Sequence, residues 1–193
     1  MNDTTFLHNL NEHLALCQQL ASLDDLVNQA ISVCVQSLQT GGKLMLCGNG
    51  GSAADSQHLA AEFTGRFSKD RAPLAALALS TDTSALTCIA NDYAFDQVFS
   101  RQVLALGKPG DCLIAISTSG NSANVMAAVE AAKGLDIRCI GFLGRDGGKL
   151  KAMCDVAIVV PSQVTARIQE VHILIGHSLC GAVEQQLGLV PAP

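Results

Sequence analysis

In the stretch GNGGSAADSQHLAAEF (48–63), His58 and Glu62 stand four residues apart. In a helix they share one face. An imidazole beside a carboxylate suits general acid–base work; it equally suits a divalent metal such as zinc. A solvated contact between neighbouring turns accounts for the same spacing without chemistry. A second polar set interrupts the apolar stretch ARIQEVHILIGHSLC (166–180): Gln169, Glu170, His172 and His177. On a helical wheel Gln169 and His172 lie about 60° apart, and Gln169 and His177 about 80°. Spacing therefore leaves open which histidine faces a site. For either ring a core histidine with a satisfied hydrogen bond is the plain reading.

Three turns offer small polar residues: GNGGS (48–52), STDTS (80–84) and STSGNS (117–122). Small residues let a ligand approach the backbone, and a following helix presents unpaired N–H groups to an anion. In STSGNS, Ser117, Thr118, Ser119 and Ser122 add hydroxyl donors suited to a phosphate. Gly48, Gly50 and Ala53 fit a relaxed dinucleotide fingerprint, which also wants an acidic residue about 20 positions on. The nearest candidate at a strand end, Asp82, comes 34 residues after Gly48. No phosphate-cradling G-x-x-x-x-G-K-[ST] run is present. Arg66, four residues past Glu62, reads as an orienting partner or as an exposed helix ion pair.

These residues need elements to hold them. Short apolar runs, KLMLC (43–47), LAALAL (74–79), CLIAI (112–116), RCIGFL (138–143) and VAIVV (156–160), alternate with helical patterns at 52–65, 83–90, 95–106, 122–133, 147–153 and 165–187. Strands without polar alternation are buried on both faces, which predicts a parallel sheet covered by helices. The fold class is an α/β, doubly wound, five-stranded parallel sheet. Ligands of such a sheet bind at the carboxyl ends of its strands, where these turns lie. Residues 5–39 carry helical spacing twice and stop at TGGK. They form an N-terminal helical arm (1–40) ahead of the sheet unit (41–193), placed to cover the sheet or to pair with another subunit.

Of the 193 residues, 49% are hydrophobic and 15% charged. A soluble domain usually carries about 25% charged residues, so the excess apolar surface predicts a homo-oligomer. A net charge of −5 without clustered Lys and Arg argues against direct nucleic-acid binding. No apolar run approaches the roughly 20 residues of a membrane span. MNDTTFLHNL lacks the basic-then-apolar order of a signal peptide. The eight cysteines, spread evenly with no C-x-x-C pair, read as small buried hydrophobes of a reducing, cytoplasmic protein.

Taken together, GNGGSAADSQHLAAEFTGRF, LTCIANDYAFDQVFSRQV, ISTSGNSANV, GRDGGKL and ARIQEVHILIGH resemble, in order and over residues 5–187, the phosphoheptose isomerase branch of the sugar isomerase (SIS) domain family. The resemblance implies conversion of sedoheptulose 7-phosphate to glycero-manno-heptose 7-phosphate, which opens bacterial activated-heptose synthesis for lipopolysaccharide core. It also implies a homotetramer with active sites between subunits and one zinc per subunit. By motif, Ser117, Thr118, Ser119 and Ser122 hold the phosphate. Asn49, Gly50, Gly51, Ser52, Asn91 and Asp92 line the sugar site with His58, Glu62 and Gln169. The zinc ligands fall on His58, Glu62, Gln169 and His177, and the catalytic pair on Glu62 and His177. The resemblance thus selects His177 over His172. Two other roles exist among similar proteins: a tetrameric adaptor for the bacterial replication initiator, and a sugar-phosphate sensor without turnover.

Overall fold

The computed structural model describes residues 4–191. Its five strands, β1 (Leu44–Gly48), β2 (Ala76–Ala78), β3 (Cys112–Ser117), β4 (Arg138–Gly144) and β5 (Val156–Val160), form one sheet in the order β2-β1-β3-β4-β5. All four pairings are parallel. The chain leaves β1 to one side for β2, then returns to place β3 on the other side. That reversal opens a crevice between the carboxyl ends of β1 and β3, the ligand position of this topology.

Apart from the exposed Arg138 that starts β4 and Ser117 that ends β3, the strands are apolar because both faces are covered. Along β1, Leu44 and Leu46 join one core cluster and Met45 and Cys47 the other, and β3 alternates in the same way. The first cluster is completed by α2 (Asp24–Gln39), α3 (Gly51–Thr64) and α8 (Thr165–Gln186). The second takes side chains from α5 (Ser100–Leu106), α6 (Ala123–Lys133) and α7 (Leu150–Met153). Burying one such Leu or Phe side chain contributes about 1.5–3 kcal/mol.

The arm resolves into α1 (Thr5–Cys17) and α2, joined by a 3-10 turn at Leu20–Leu23. Asp24 and Asp25 in the first turn of α2 suit the helix dipole. The helix stops at Thr40, before Gly41 at φ 81°. α2 covers the sheet. In α1 only Leu16 is buried, while Phe6, Leu7, Leu10 and Leu14 are exposed.

Three elements depart from the sequence pattern. The helix expected over 95–106 is a 3-10 turn, Phe95–Gln97, followed by α5. The helix expected over 147–153 is a single turn, because Gly147 (φ 88°) and Gly148 (φ 52°) leave the helical region. α4 (Thr83–Asp92) runs on through Asn91 and Asp92, which are helical rather than in a loop.

Candidate functional site

α3 starts in the crevice at β1. Its buried residues Ser52, Ser56, Leu59, Ala60 and Phe63 follow helical spacing and face the core. His58 and Glu62 flank that stripe on the side toward α8. The two helices approach closely because α8 carries glycine at the crossing: a Cβ on Gly176 would stand 2.5 Å from Leu59 Cδ1. The next residue, His177, is thereby brought onto His58.

The resulting cluster is compact. His58 Nε2 lies 3.1 Å from Glu62 Oε1 and 3.2 Å from His177 Nε2. One ligand atom from each of the three residues falls within 4.8 Å of the others. The His58 and His177 rings meet edge to face with centroids 5.0 Å apart. One shared nitrogen cannot donate a proton to both neighbours, so lone pairs converge on a point that lacks donors. A divalent cation satisfies that arrangement. Two imidazole nitrogens and a carboxylate oxygen are donors that zinc accepts.

His172, the other candidate, is fully buried and donates from Nε2 to the Leu143 carbonyl at 2.9 Å. Burial pushes its pKa down to about 4 against the opposing effect of that hydrogen bond, so it stays a neutral core histidine. Gln169 lies two turns before His177 on α8. Its amide covers the start of α3, where a Cβ on Gly51 would meet Gln169 Nε2 at 2.4 Å.

At the crevice, Asn49 and Asn124 exchange two hydrogen bonds of 2.8 Å, tying the GNGGS turn to the start of α6. Gly50 (φ 57°) precedes α3, with Ser52 buried in its first turn. Ser117 and Ser122 pair their hydroxyls at 3.0 Å. Ser122 begins α6 without a side-chain cap, leaving the helix start open to an anion. Ser119 Oγ accepts from the Asn121 N–H at 3.2 Å, and Thr118 is half-buried beside it.

GRDGGKL braces this turn, a role that the sequence does not announce. Gly120 (φ 65°) presses on it so closely that a Cβ would stand 1.9 Å from the Gly147 carbonyl oxygen. The Leu150 N–H donates to the Gly120 carbonyl at 3.0 Å and the Lys149 N–H to Asn121 Oδ1 at 3.1 Å.

Asn91 and Asp92 are exposed at the end of α4. The Asn91 amide donates to Asp92 Oδ1 at 2.8 Å and holds that carboxyl below its ordinary value, helped by Cys88. Among the described residues, neither bonds to a predicted site residue outside this pair. Asp82 accepts from the Ala85 N–H at 2.9 Å as the N-cap of α4, which accounts for it without a ribose. Nor does Arg66 pair with Glu62 among the described residues; it follows the end of α3 and is exposed. Arg71, absent from the sequence reading, donates instead to the Glu62 backbone carbonyl at 2.8 Å. Asp55, one turn before His58, has its carboxyl pushed up by burial, with His58 opposing.

Five of the eight cysteines are buried, Cys17 and Cys154 are half-buried, and Cys88 is exposed. Burial raises the thiols of Cys154 and Cys180 to about 12, so they act as small hydrophobes. No helix of the described residues is long and apolar enough to cross a membrane.

Comparison with known proteins bears on the fold and the family. A family model of the SIS domain matches residues 8–144. A phosphoheptose isomerase of Helicobacter hepaticus is 53% identical over 92% of this chain and 91% of its own. That of Rhodospirillum rubrum is 57% identical over 83% and 86%. The structure of a phosphoheptose isomerase from Neisseria gonorrhoeae superposes with a TM-score of 0.88 at 51% identity, covering 92% of this chain and 96% of that one. By its matched domain, its near relatives and its superposable fold, the chain belongs to the phosphoheptose isomerases of the SIS-domain family.

Proposed function

We infer that this protein is an aldose–ketose isomerase that converts sedoheptulose 7-phosphate to glycero-manno-heptose 7-phosphate through an enediol. One observation carries the reading: a carboxylate and an imidazole from distant parts of the chain, Glu62 and His177, meet within 4.8 Å beside His58. The adaptor and sensor roles have no need of that pair, and relatives at 53% and 57% identity are named as isomerases.

Isomerisation moves one proton from C1 to C2. Glu62 takes the C1 proton while an acid protonates the C2 carbonyl oxygen, giving the enediol. The O1 hydroxyl then loses its proton and C2 gains one. Glu62 handles the carbon-bound protons and His177 the oxygen-bound ones, an exchange worth roughly 10²–10⁴-fold. Ser117, Thr118, Ser119 and Ser122 hold the phosphate at the start of α6. The GNGGS residues line the sugar, with Asn91 and Asp92 at its margin.

His58, Glu62 and His177 would hold zinc, with Gln169 as fourth ligand; the ion supplies Lewis-acid stabilisation of oxyanion charge. Gln169 precedes His177 by eight residues of one helix, about 12 Å along its axis. In this chain the Gln169 amide lies against Gly51, about two turns of α3 before His58, and so stands apart from the other three ligands. Gln169 of a second copy completes the set and makes the active site composite, in keeping with the homotetramer with sites between subunits that the family resemblance implies. The exposed Phe6, Leu10 and Leu14, at spacing four on α1, are the apolar surface that such assembly buries. The protein works in the cytoplasm, where sugar phosphates are made.

The test is heptose 7-phosphate formation from sedoheptulose 7-phosphate, before and after chelation and with zinc restored. No turnover under any condition would end the reading. Co-assembly of Glu62→Gln chains with Gln169→Ala chains, each inactive alone, is expected to restore activity. Failure of well-mixed assemblies to regain it would end the composite site.

A further inference from the structure

Seven residues beyond His177, α8 carries a second polar group that the chemistry above does not use. Glu184 is fully buried and its carboxylate meets four donors: the Phe67 N–H at 2.9 Å, the Ser68 N–H at 3.4 Å, the Ser68 hydroxyl at 3.1 Å and Arg71 Nε at 2.8 Å. The Arg71 side chain is 2% exposed. Its remaining nitrogens close the end of α3. Nη2 donates to the Glu62 carbonyl at 2.8 Å, and Nη1 to the carbonyls of Phe63, Gly65 and Ala72 at 2.7, 3.1 and 3.0 Å. A helix ends with four carbonyls lacking partners. Here one guanidinium serves two of the last residues of α3 and the glycine that follows.

We propose that Arg71 and Glu184 are positioning residues for the isomerisation: the buried pair fixes the end of α3 against α8 and lays Phe67 on the ring of His177, so that Glu62 and His177 keep the spacing their proton exchange needs. The inference rests on the isomerase reading and deepens it.

The argument is geometric. Arg71 grips the backbone of Glu62 itself. Glu184 and His177 are seven residues apart, so they lie within about 20° of each other on the same face of α8. The Phe67 N–H that Glu184 holds sets the direction of its side chain. The Phe67 ring then rests over α8, with its centroid 5.5 Å from that of His177. A Cβ on Gly181 would stand 3.3 Å from the same ring. Both members of the catalytic pair are thus tied to one buried link, Glu62 through its backbone and His177 through a packed aromatic ring. The phosphate turn at 117–122 is braced separately by residues 147–150. Disturbing the link should therefore change the rate of chemistry more than it changes substrate binding.

Arg71→Lys tests this. It keeps the charge but loses the planar fork that spans Glu184 and the carbonyls together. In folded, assembled protein, kcat is expected to fall by about 10–100-fold, the order that an ångström of misplacement costs. KM should stay within about twofold. The ring-proton resonances of His177 should shift as the Phe67 ring moves. A folded Arg71→Lys protein with kcat within about twofold of the parent would overturn the proposal. Should Arg71→Lys fail to fold, Phe67→Leu decides: a kcat lower by roughly fivefold or more at unchanged KM supports it, and an unchanged kcat overturns it. If the parent itself proves inactive, the isomerase reading fails. The resonances still decide the positioning, because unmoved His177 signals in Arg71→Lys would overturn it alone.

Discussion

Two polar clusters cross the seam between α3 and α8, and they differ in one respect. In the Arg71–Glu184 cluster every carboxylate oxygen faces donors, and both side chains are shielded, at 2% and 0% exposure. In the His58–Glu62–His177 cluster lone pairs converge and donors are short. There His58 is 48% and Glu62 24% exposed. A saturated buried network holds structure, because any missing partner leaves a group desolvated and unpaired. An unsaturated, accessible one is open to a ligand. Both join the same two helices, so the difference is in function and not in location.

The largest test removes the carboxylate charge from the open cluster. Glu62→Gln is expected to lower kcat by about 10³-fold or more while the thermal midpoint stays near that of the parent. Near-normal turnover would take Glu62 out of the reaction. The two histidines of α8 come next. His177→Ala should cost about 10²-fold in rate with little loss of stability. His172→Ala should destabilise by about 2–4 kcal/mol, since it opens a core cavity and strips the Leu143 carbonyl of its donor. Turnover per folded molecule should survive in that variant, and denaturant melts beside kinetics check both. A reversed pattern would mean that the comparison assigns the clusters wrongly.

The smallest effect is in pH. Burial alone would raise the Glu184 carboxyl, but the donors from Phe67, Arg71 and Ser68 outweigh it and hold the group below its ordinary value. A depressed folded-state pKa contributes stability that is fully present above the unfolded value, about 4.3. That stability is lost as pH falls through the folded one. The stability gap between the parent and Glu184→Gln should therefore be widest above about pH 5 and narrow in acid. A gap independent of pH from about 3 to 7 would show that the pair does not act through charge.

Much of this was legible in the chain. Five apolar runs without alternation announced a sheet buried on both faces, and TGGK announced the end of α2. The spacing of His58 and Glu62 put them on one helix face before any coordinates. Other features depend on distant contacts. Arg71 and Glu184 are 113 positions apart, and no local periodicity couples them. Arg66 has the better spacing for an ion pair with Glu62, yet the helix ends at Thr64 and the chain turns it outward. The expected helix over 95–106 has continuous helical spacing, but its first turn, Phe95–Gln97, closes as a 3-10 turn and α5 starts only at Ser100.

The sequence by itself determined the class of fold, the turns able to hold a phosphate and the residue types able to move a proton. Those follow from local physics: strand and helix periods, glycine and hydroxyl chemistry, and the side-chain inventory. Helical spacing could not choose between His172 and His177; the resemblance pointed to His177, and only the tertiary structure supplied the physical reason. Both sit on one helix with ambiguous phase, and the choice was made by what each helix face packs against. One face meets β4, where His172 finds the Leu143 carbonyl. The other meets α3 at Gly176, where the missing side chain lets His177 reach His58.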